Sequence, residues 1–170
     1  MFFLILLLLW LRQRSSRKLS RDYGLEGERV YSDLTRETGK VRNRVFYSKS
    51  SGISGKPDNV VIQDDGTAVV WEFKSGRAPV HPYMNHKVQL ACYAILIQDE
   101  TGRRVDKGVI RYGDGTVFDV PISHDLMRRA LGNKELIEDI QRGVRPKRNH
   151  SSPGRCRSCR YRSVCPERLM

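Results

Sequence analysis

Two β-prone runs, Asn59 to Gln63 and Thr67 to Lys74, flank Asp64-Asp65-Gly66, and no other feature restricts the fold of this chain so tightly. Asp-Gly between runs rich in Val, Ile and aromatic residues is a strong short-range signal for an antiparallel hairpin. The second run leads into VVWEFKSGR, Val69 to Arg77. Side chains alternate across a strand, so Trp71 and Phe73 share one face while Glu72 and Lys74 share the other. A strand apolar enough for a core therefore carries two opposite charges together at one end. Because the hairpin folds back on itself, Asp58, at the start of the first run, is expected to meet Glu72 across the strands.

Two carboxylates and a lysine at adjoining strand ends have a definite chemistry. Carboxylates placed in this way can hold a hard divalent cation, Mg²⁺ or Mn²⁺, which takes oxygen ligands and keeps waters for reaction. Lys74 can orient a nucleophile or offset charge developing on a phosphoryl oxygen. The set suits phosphodiester hydrolysis. An isolated E-x-K on a strand is ordinarily an exposed ion pair, so the reading depends on what accompanies it.

The rest of the chain reads as a mixed α/β domain. Leu25, Val30 and Leu34 give a weak helical pattern from Asp22 to Thr38, stopped by Gly39. Val45 to Tyr47 form a short β-prone run, and the polar stretch SSGISG then leads to Lys56-Pro57-Asp58. With the hairpin these runs predict an antiparallel meander. Past Pro79 and Pro82, apolar positions from Asn85 to Gln98 predict a helix. Gly108 to Tyr112 and Thr116 to Val120 flank Gly113-Asp114-Gly115 as a second hairpin. Ser123 is then a natural N-cap for a helix ending at Gly143, with Gly132-Asn133 as a point of interruption. The expected sheet is mainly antiparallel, and 170 residues suit one such domain.

Charge and hydropathy mark off the two ends. The formal net charge of +12 is concentrated in residues 12–21, with five basic groups and no acid, and in residues 142–170, with nine basic groups against Glu167. The body between them is nearly neutral. Clustered cationic flanks suit a polyanion, either nucleic acid or an anionic membrane surface; solvated charge for solubility is the simpler alternative. The uninterrupted apolar run from Phe2 to Leu11 would rise only ~15 Å as a helix, about half a hydrocarbon core. Basic charge follows this run, and no A-x-A site is present, which disfavours an export signal. The positive-inside rule places the Arg-rich side and all that follows in the cytoplasm, so the expected location is the cytoplasmic side of a membrane. The organisation expected is residues 1–21 as an apolar membrane-associating segment with a basic patch, 22–144 as the catalytic domain, and 145–170 as a basic linker and cysteine tail.

Gly55-Lys56-Pro57-Asp58, then Glu72-Phe73-Lys74, then Gln89-x-x-x-Tyr93 resemble, in order and spacing, the RecB-like branch of the PD-(D/E)XK nuclease superfamily. The chain is most similar to the CRISPR-associated exonucleases with a C-terminal cysteine cluster, over about residues 25 to 166. The resemblance implies a restriction-endonuclease-like core, with a central mixed sheet flanked by helices and a cysteine-rich extension. It implies a metal-dependent exonuclease on single-stranded DNA, with CRISPR or repair proteins as partners of unknown identity. By the same resemblance Asp58, Glu72 and the backbone carbonyl of Phe73 are metal ligands, Lys74 is the catalytic lysine, and Gln89 and Tyr93 contact the DNA end. The last two lie at i and i+4, hence on one helix face. Arg77 reads as a phosphate contact or a solvated loop arginine. The family commonly supplies a histidine ligand from its first helix in a G-x-x-x-H arrangement, where Gly27-Glu28-Arg29-Val30-Tyr31 presents Tyr31. A phenol with a reference pKa of about 10 is a poor substitute for imidazole. That departure motivates a second reading, a nucleic-acid-binding module of the same fold with impaired catalysis.

Cys156-x₂-Cys159-x₅-Cys165-Pro166 is the other specific signal. Cytoplasmic thiols are reduced, and three of them among arginines suit ligation better than packing or a disulfide. In similar nucleases such a trio and one upstream cysteine bind a [4Fe-4S] cluster. No cysteine precedes Cys92 here, so the fourth ligand is Cys92, Asp22, His150 or an exogenous group. Cys92 sits among apolar residues and suits a core position better. His150 with the three thiolates also permits a Cys₃His zinc site.

Overall fold

A computed structural model describes the backbone of Glu28–Ser32 and, in full, residues 44–170. Along the described residues the order is β1 (Glu28–Ser32), β2 (Phe46–Ser48), β3 (Ile53–Gly55), β4 (Asn59–Ile62), β5 (Ala68–Lys74), α1 (Met84–Thr101), β6 (Lys107–Tyr112), β7 (Val117–Pro121), α2 (His124–Gln141) and α3 (Pro153–Arg157). The chain divides into two compact units, Met1–Asn133 and Lys134–Met170. Gly132-Asn133, the expected interruption, does not break α2, which runs through both residues.

The first unit is built on the predicted hairpin. Asn59 faces Trp71 and Ile62 faces Ala68 across β4 and β5. In the turn Asp65 Oδ1 accepts from the backbone N–H of Thr67 at 2.9 Å and from its hydroxyl at 2.7 Å. This side chain therefore satisfies donors that would otherwise be lost to water where the strands part. β5 then pairs in parallel with β6, and the sheet order is β1-β4-β5-β6-β7 with the other three pairings antiparallel. A parallel pair needs a long crossover, which α1 supplies. The sheet is therefore mixed and flanked by helix.

Alternation along β5 sorts its two faces. Val70 points with Val60 and Ile110 toward Leu90, Leu96 and Ile97 of α1. Complete burial of a Leu or Ile contributes about 1.5–3 kcal/mol, so this face is the main source of cohesion between helix and sheet. Trp71 joins Val61, Val69 and Val109 on the opposite face, and its ring stacks on that of Phe73 at 6.3 Å. The expected division of Trp71 and Phe73 from Glu72 and Lys74 is what the strand adopts.

Three local expectations are corrected. Within the stretch Asp22 to Thr38, read as a helix, residues 28–32 are the strand β1, paired antiparallel with β4 and irregular between Arg29 and Tyr31. The remainder of that stretch lies outside the described residues, as do Phe2 to Leu11 and the basic cluster of 12–21. Val30 and Tyr31 are good strand formers, and hydrogen bonds from the edge of β4 outweigh a weak helical period. SSGISG is not merely a loop, because Ile53 to Gly55 form β3 and Ile53 packs on the main core. Finally, β2 and β3 make a separate two-stranded sheet rather than the start of a meander. Among the described residues no helix is long and apolar enough to cross a membrane.

Candidate active site

The hairpin ends where the charges lie. The β4–β5 ladder stops at Asn59 and Trp71, and just beyond it Asp58 Oδ2 accepts the backbone N–H of Phe73 at 2.7 Å. A carboxylate thus takes the place of the next backbone acceptor, following Pro57, which has no N–H to offer. The arrangement fixes Asp58 against the end of β5.

Glu72 is only 5% exposed. Its Oε1 accepts from Lys74 Nζ at 2.7 Å, while Oε2 is buried and has no hydrogen-bond partner among the described residues. Burial pushes the carboxyl pKa up and the negative charge of Asp58 adds to the rise, against the opposing hydrogen bond from Lys74. Lys74 Nζ also donates to Gln89 Oε1 at 2.9 Å, and Gln89 Nε2 donates to Tyr93 Oη at 2.7 Å. The run Glu72–Lys74–Gln89–Tyr93 therefore joins the end of β5 to one face of α1. Burial is the main reason that the Tyr93 hydroxyl is pushed up to about 12, so the phenol stays neutral.

The loop that leaves β5 is clamped from behind. Gly113 N–H donates to Gly76 carbonyl oxygen at 3.0 Å, and a Cβ at Gly113 would lie 2.3 Å from the carbonyl oxygen of Ser75. Only glycine permits this approach. Asp114 Oδ2 accepts Ala78 N–H at 2.9 Å, a second tie between the loop and the β6–β7 turn. Arg77 is exposed on this loop.

All five side chains read from the sequence, Asp58, Glu72, Lys74, Gln89 and Tyr93, thus lie at the sheet end or on the facing helix. Tyr31 stands in β1 opposite Val60, in a strand and not in a first helix. Two residues passed over in the sequence adjoin the same place. His86 Nδ1 and Tyr112 Oη lie 2.8 Å apart, and burial together with the charge of Lys74 lowers the His86 pKa. His86 precedes Gln89 by three residues on α1, which was a usable signal. Tyr112 is level with Lys74 in the parallel register of β5 and β6, which the sequence did not reveal.

A hard divalent cation fits this donor set. The charge of Asp58 is felt by Glu72, and Glu72 Oε2 is a buried acceptor with no hydrogen-bond partner among the described residues, a cost that a cation would relieve. Among the described residues no three His, Cys, Asp or Glu side chains converge on one point, so an ion would also draw on backbone carbonyl or water oxygens.

In the second unit α3 is capped by Ser152 Oγ, which accepts Arg155 N–H at 3.4 Å. Cys156 is buried and its Sγ accepts Leu169 N–H at 3.4 Å, while Cys159 is exposed and Cys165 half-buried. The three thiols do not converge into a metal-holding group. Cys92 packs near Ala91, Ile95 and Ala130, a core position as expected, where burial pushes its thiol up.

A hairpin and parallel strand, with two carboxylates and a lysine at its end and a helix facing them, define a nuclease fold class. The chain belongs to the PD-(D/E)XK nuclease superfamily, whose family model matches residues 5–166. It is similar to a CRISPR-associated exonuclease Cas4/endonuclease Cas1 fusion of Leptospira interrogans, at 25% identity over 134 residues. That match covers 75% of this chain and 25% of the relative. It is similar also to a CRISPR-associated exonuclease Cas4 of Francisella tularensis subsp. novicida, at 24% identity over 157 residues, covering 92% of this chain and 72% of the relative. A solved structure from Eubacterium rectale is 14% identical with a TM-score of 0.44, covering 76% of this chain and 52% of its own.

Proposed function

We propose that this chain is a metal-dependent DNA nuclease that hydrolyses phosphodiester bonds as an exonuclease on single strands. One observation carries the reading: the hydrogen-bonded run Glu72–Lys74–Gln89–Tyr93 beside Asp58, with Glu72 Oε2 buried and without a hydrogen-bond partner among the described residues. In this reading Asp58, Glu72 and the carbonyl of Phe73 hold Mg²⁺ or Mn²⁺. When bound, the cation offsets charge on the phosphoryl oxygens and makes water a competent nucleophile. Lys74, held by Glu72 and Gln89, keeps its ammonium fixed where negative charge develops. Tyr93 stays protonated and, with Gln89, offers hydrogen bonds to the terminal nucleotide.

The basic clusters at the two ends would follow the phosphate backbone without reading sequence. The apolar run Phe2 to Leu11 would hold the domain at the cytoplasmic side of a membrane, with anionic lipid as a second partner. Cys156, Cys159 and Cys165 would ligate a [4Fe-4S] cluster, zinc being the alternative metal. Tyr31, in place of the histidine expected from the family, favours the second reading of a binding module with impaired turnover.

Degradation of labelled single-stranded DNA by the full chain separates the two. Activity is expected in Mg²⁺ or Mn²⁺, and Asp58→Ala and Lys74→Ala are each expected to lower the rate by about 10²-fold or more with DNA binding kept. Binding without turnover in either metal would establish the impaired module instead.

A further inference from the structure

We propose that Tyr83 is a stacking platform for an unpaired nucleobase of the strand under attack. The proposal rests on the nuclease reading above and adds to it a base-binding subsite.

Four aromatic rings form a ladder from the core to the surface beside Lys74. Phe118 meets Tyr112 edge to face at 5.9 Å, Tyr112 meets His86 at 5.9 Å, and His86 meets Tyr83 edge to face at 5.4 Å. The rung that supports His86 is buried, because Tyr112 is 4% exposed and its hydroxyl is 2.8 Å from His86 Nδ1. Tyr112 is also the register partner of Lys74, and the lysine charge acts on His86. The middle rungs therefore flank the proposed catalytic lysine. The outer rung, Tyr83, is 57% exposed.

Tyr83 also breaks a local rule. It occupies the N-cap of α1, where Ser, Thr, Asp or Asn would accept a hydrogen bond from the first turn, and its side chain makes no such bond. Its backbone is nonetheless fixed: it follows Pro82, and its carbonyl oxygen accepts from His86 N–H at 3.1 Å and Lys87 N–H at 3.2 Å. A large ring is thus held at a rigid point where helix formation would prefer a small polar side chain. Such a conflict between local preference and residue is expected at functional positions. A supported, half-exposed ring next to a phosphate-directed lysine suits a nucleobase, since every base offers a π-face and stacking is tolerant of sequence. Bases inside a duplex have those faces occupied, so the subsite selects unpaired ones.

The test is binding of the full chain, in EDTA, to labelled single-stranded DNA and to an oligomer of abasic residues of equal length. Tyr83→Ser is expected to weaken binding of the base-bearing strand by about 5- to 100-fold. On the abasic oligomer it is expected to match wild type. Tyr83→Phe, which keeps the ring, retains wild-type affinity on both. Serine can cap α1, so thermal stability of Tyr83→Ser stays level or rises, which separates loss of binding from loss of fold. Equal affinity of wild type and Tyr83→Ser for the base-bearing strand, or equal weakening on both oligomers, overturns the subsite. If wild type degrades single strands while either of those results holds, the subsite alone fails. If wild type neither binds nor degrades them, the nuclease reading and the subsite fail together.

Discussion

Glu72 places a carboxylate in a buried position at the proposed site, and the sign of the resulting pKa shift makes its cost measurable. Its folded pKa is raised above 4.5, so the folded chain binds this proton more tightly than the unfolded chain does. Without metal, the associated stability is present below 4.5 and is lost as pH rises through the folded value. Glu72→Gln removes the charge while keeping an acceptor for Lys74. Metal-free, the variant is expected to be more stable than wild type at neutral pH by about 1 kcal/mol, and the difference closes in acid. Mn²⁺ is expected to raise the wild-type unfolding temperature and to leave that of Glu72→Gln unchanged, since only a ligand that binds the native state shifts its stability. Thermal unfolding across pH, in EDTA and in Mn²⁺, reads both effects; an equal Mn²⁺ shift in the two proteins would remove Glu72 from the metal site. At this scale much was legible, because strand alternation pairs Glu72 with Lys74 and helical spacing pairs Gln89 with Tyr93. Helical spacing from Gln89 also points to His86, but Tyr112 was not legible, because its place beside Lys74 depends on the register between β5 and β6, which neighbours in sequence do not fix.

At the scale of elements, local chemistry was readable and long-range pairing was not. Asp65-Gly66 sets the β4–β5 turn, and Ser123 Oγ accepts Leu126 N–H at 3.2 Å to open α2, both within a few residues. β1 was misread because Leu25, Val30 and Leu34 mimic a helical period, while its actual partner, β4, lies some thirty positions later in the chain. β3 was missed because one isoleucine among serines and glycines carries no period of its own. The same balance predicts a gain in α2. Gly132 sits inside the helix, and a Cβ added there would meet nothing within 4 Å among the described residues. Gly132→Ala is expected to stabilise the chain by about 0.5–1 kcal/mol through helix propensity alone. A higher denaturant midpoint for the variant checks this; a lower one would mean that α2 needs to bend at Gly132.

At the scale of the molecule, the second unit poses a different problem from the first. Lys134–Met170 holds Cys156, Cys159 and Cys165, with the backbone tied by Glu167, whose Oε2 accepts Arg148 N–H at 2.7 Å. Ligation of one metal or cluster would require the exposed Cys159 and half-buried Cys165 to close on buried Cys156. Thiolates bind metals where thiols do not. Packing and ligation make opposite demands on Cys159. A buried thiol loses contacts when replaced, so Cys156→Ser would weaken the fold whether or not metal is present. An exposed one has little packing to lose, so the stability of Cys159→Ser reads ligation alone. With the full chain purified without oxygen, visible absorption with bound iron is expected for a [4Fe-4S] cluster, or bound zinc without colour for the alternative. Cys159→Ser is expected to lose the metal and lower the unfolding temperature of the metal-loaded protein, because binding free energy in such tails is also folding free energy. If Cys159→Ser leaves both the metal content and the unfolding temperature unchanged, Cys159 is not a ligand.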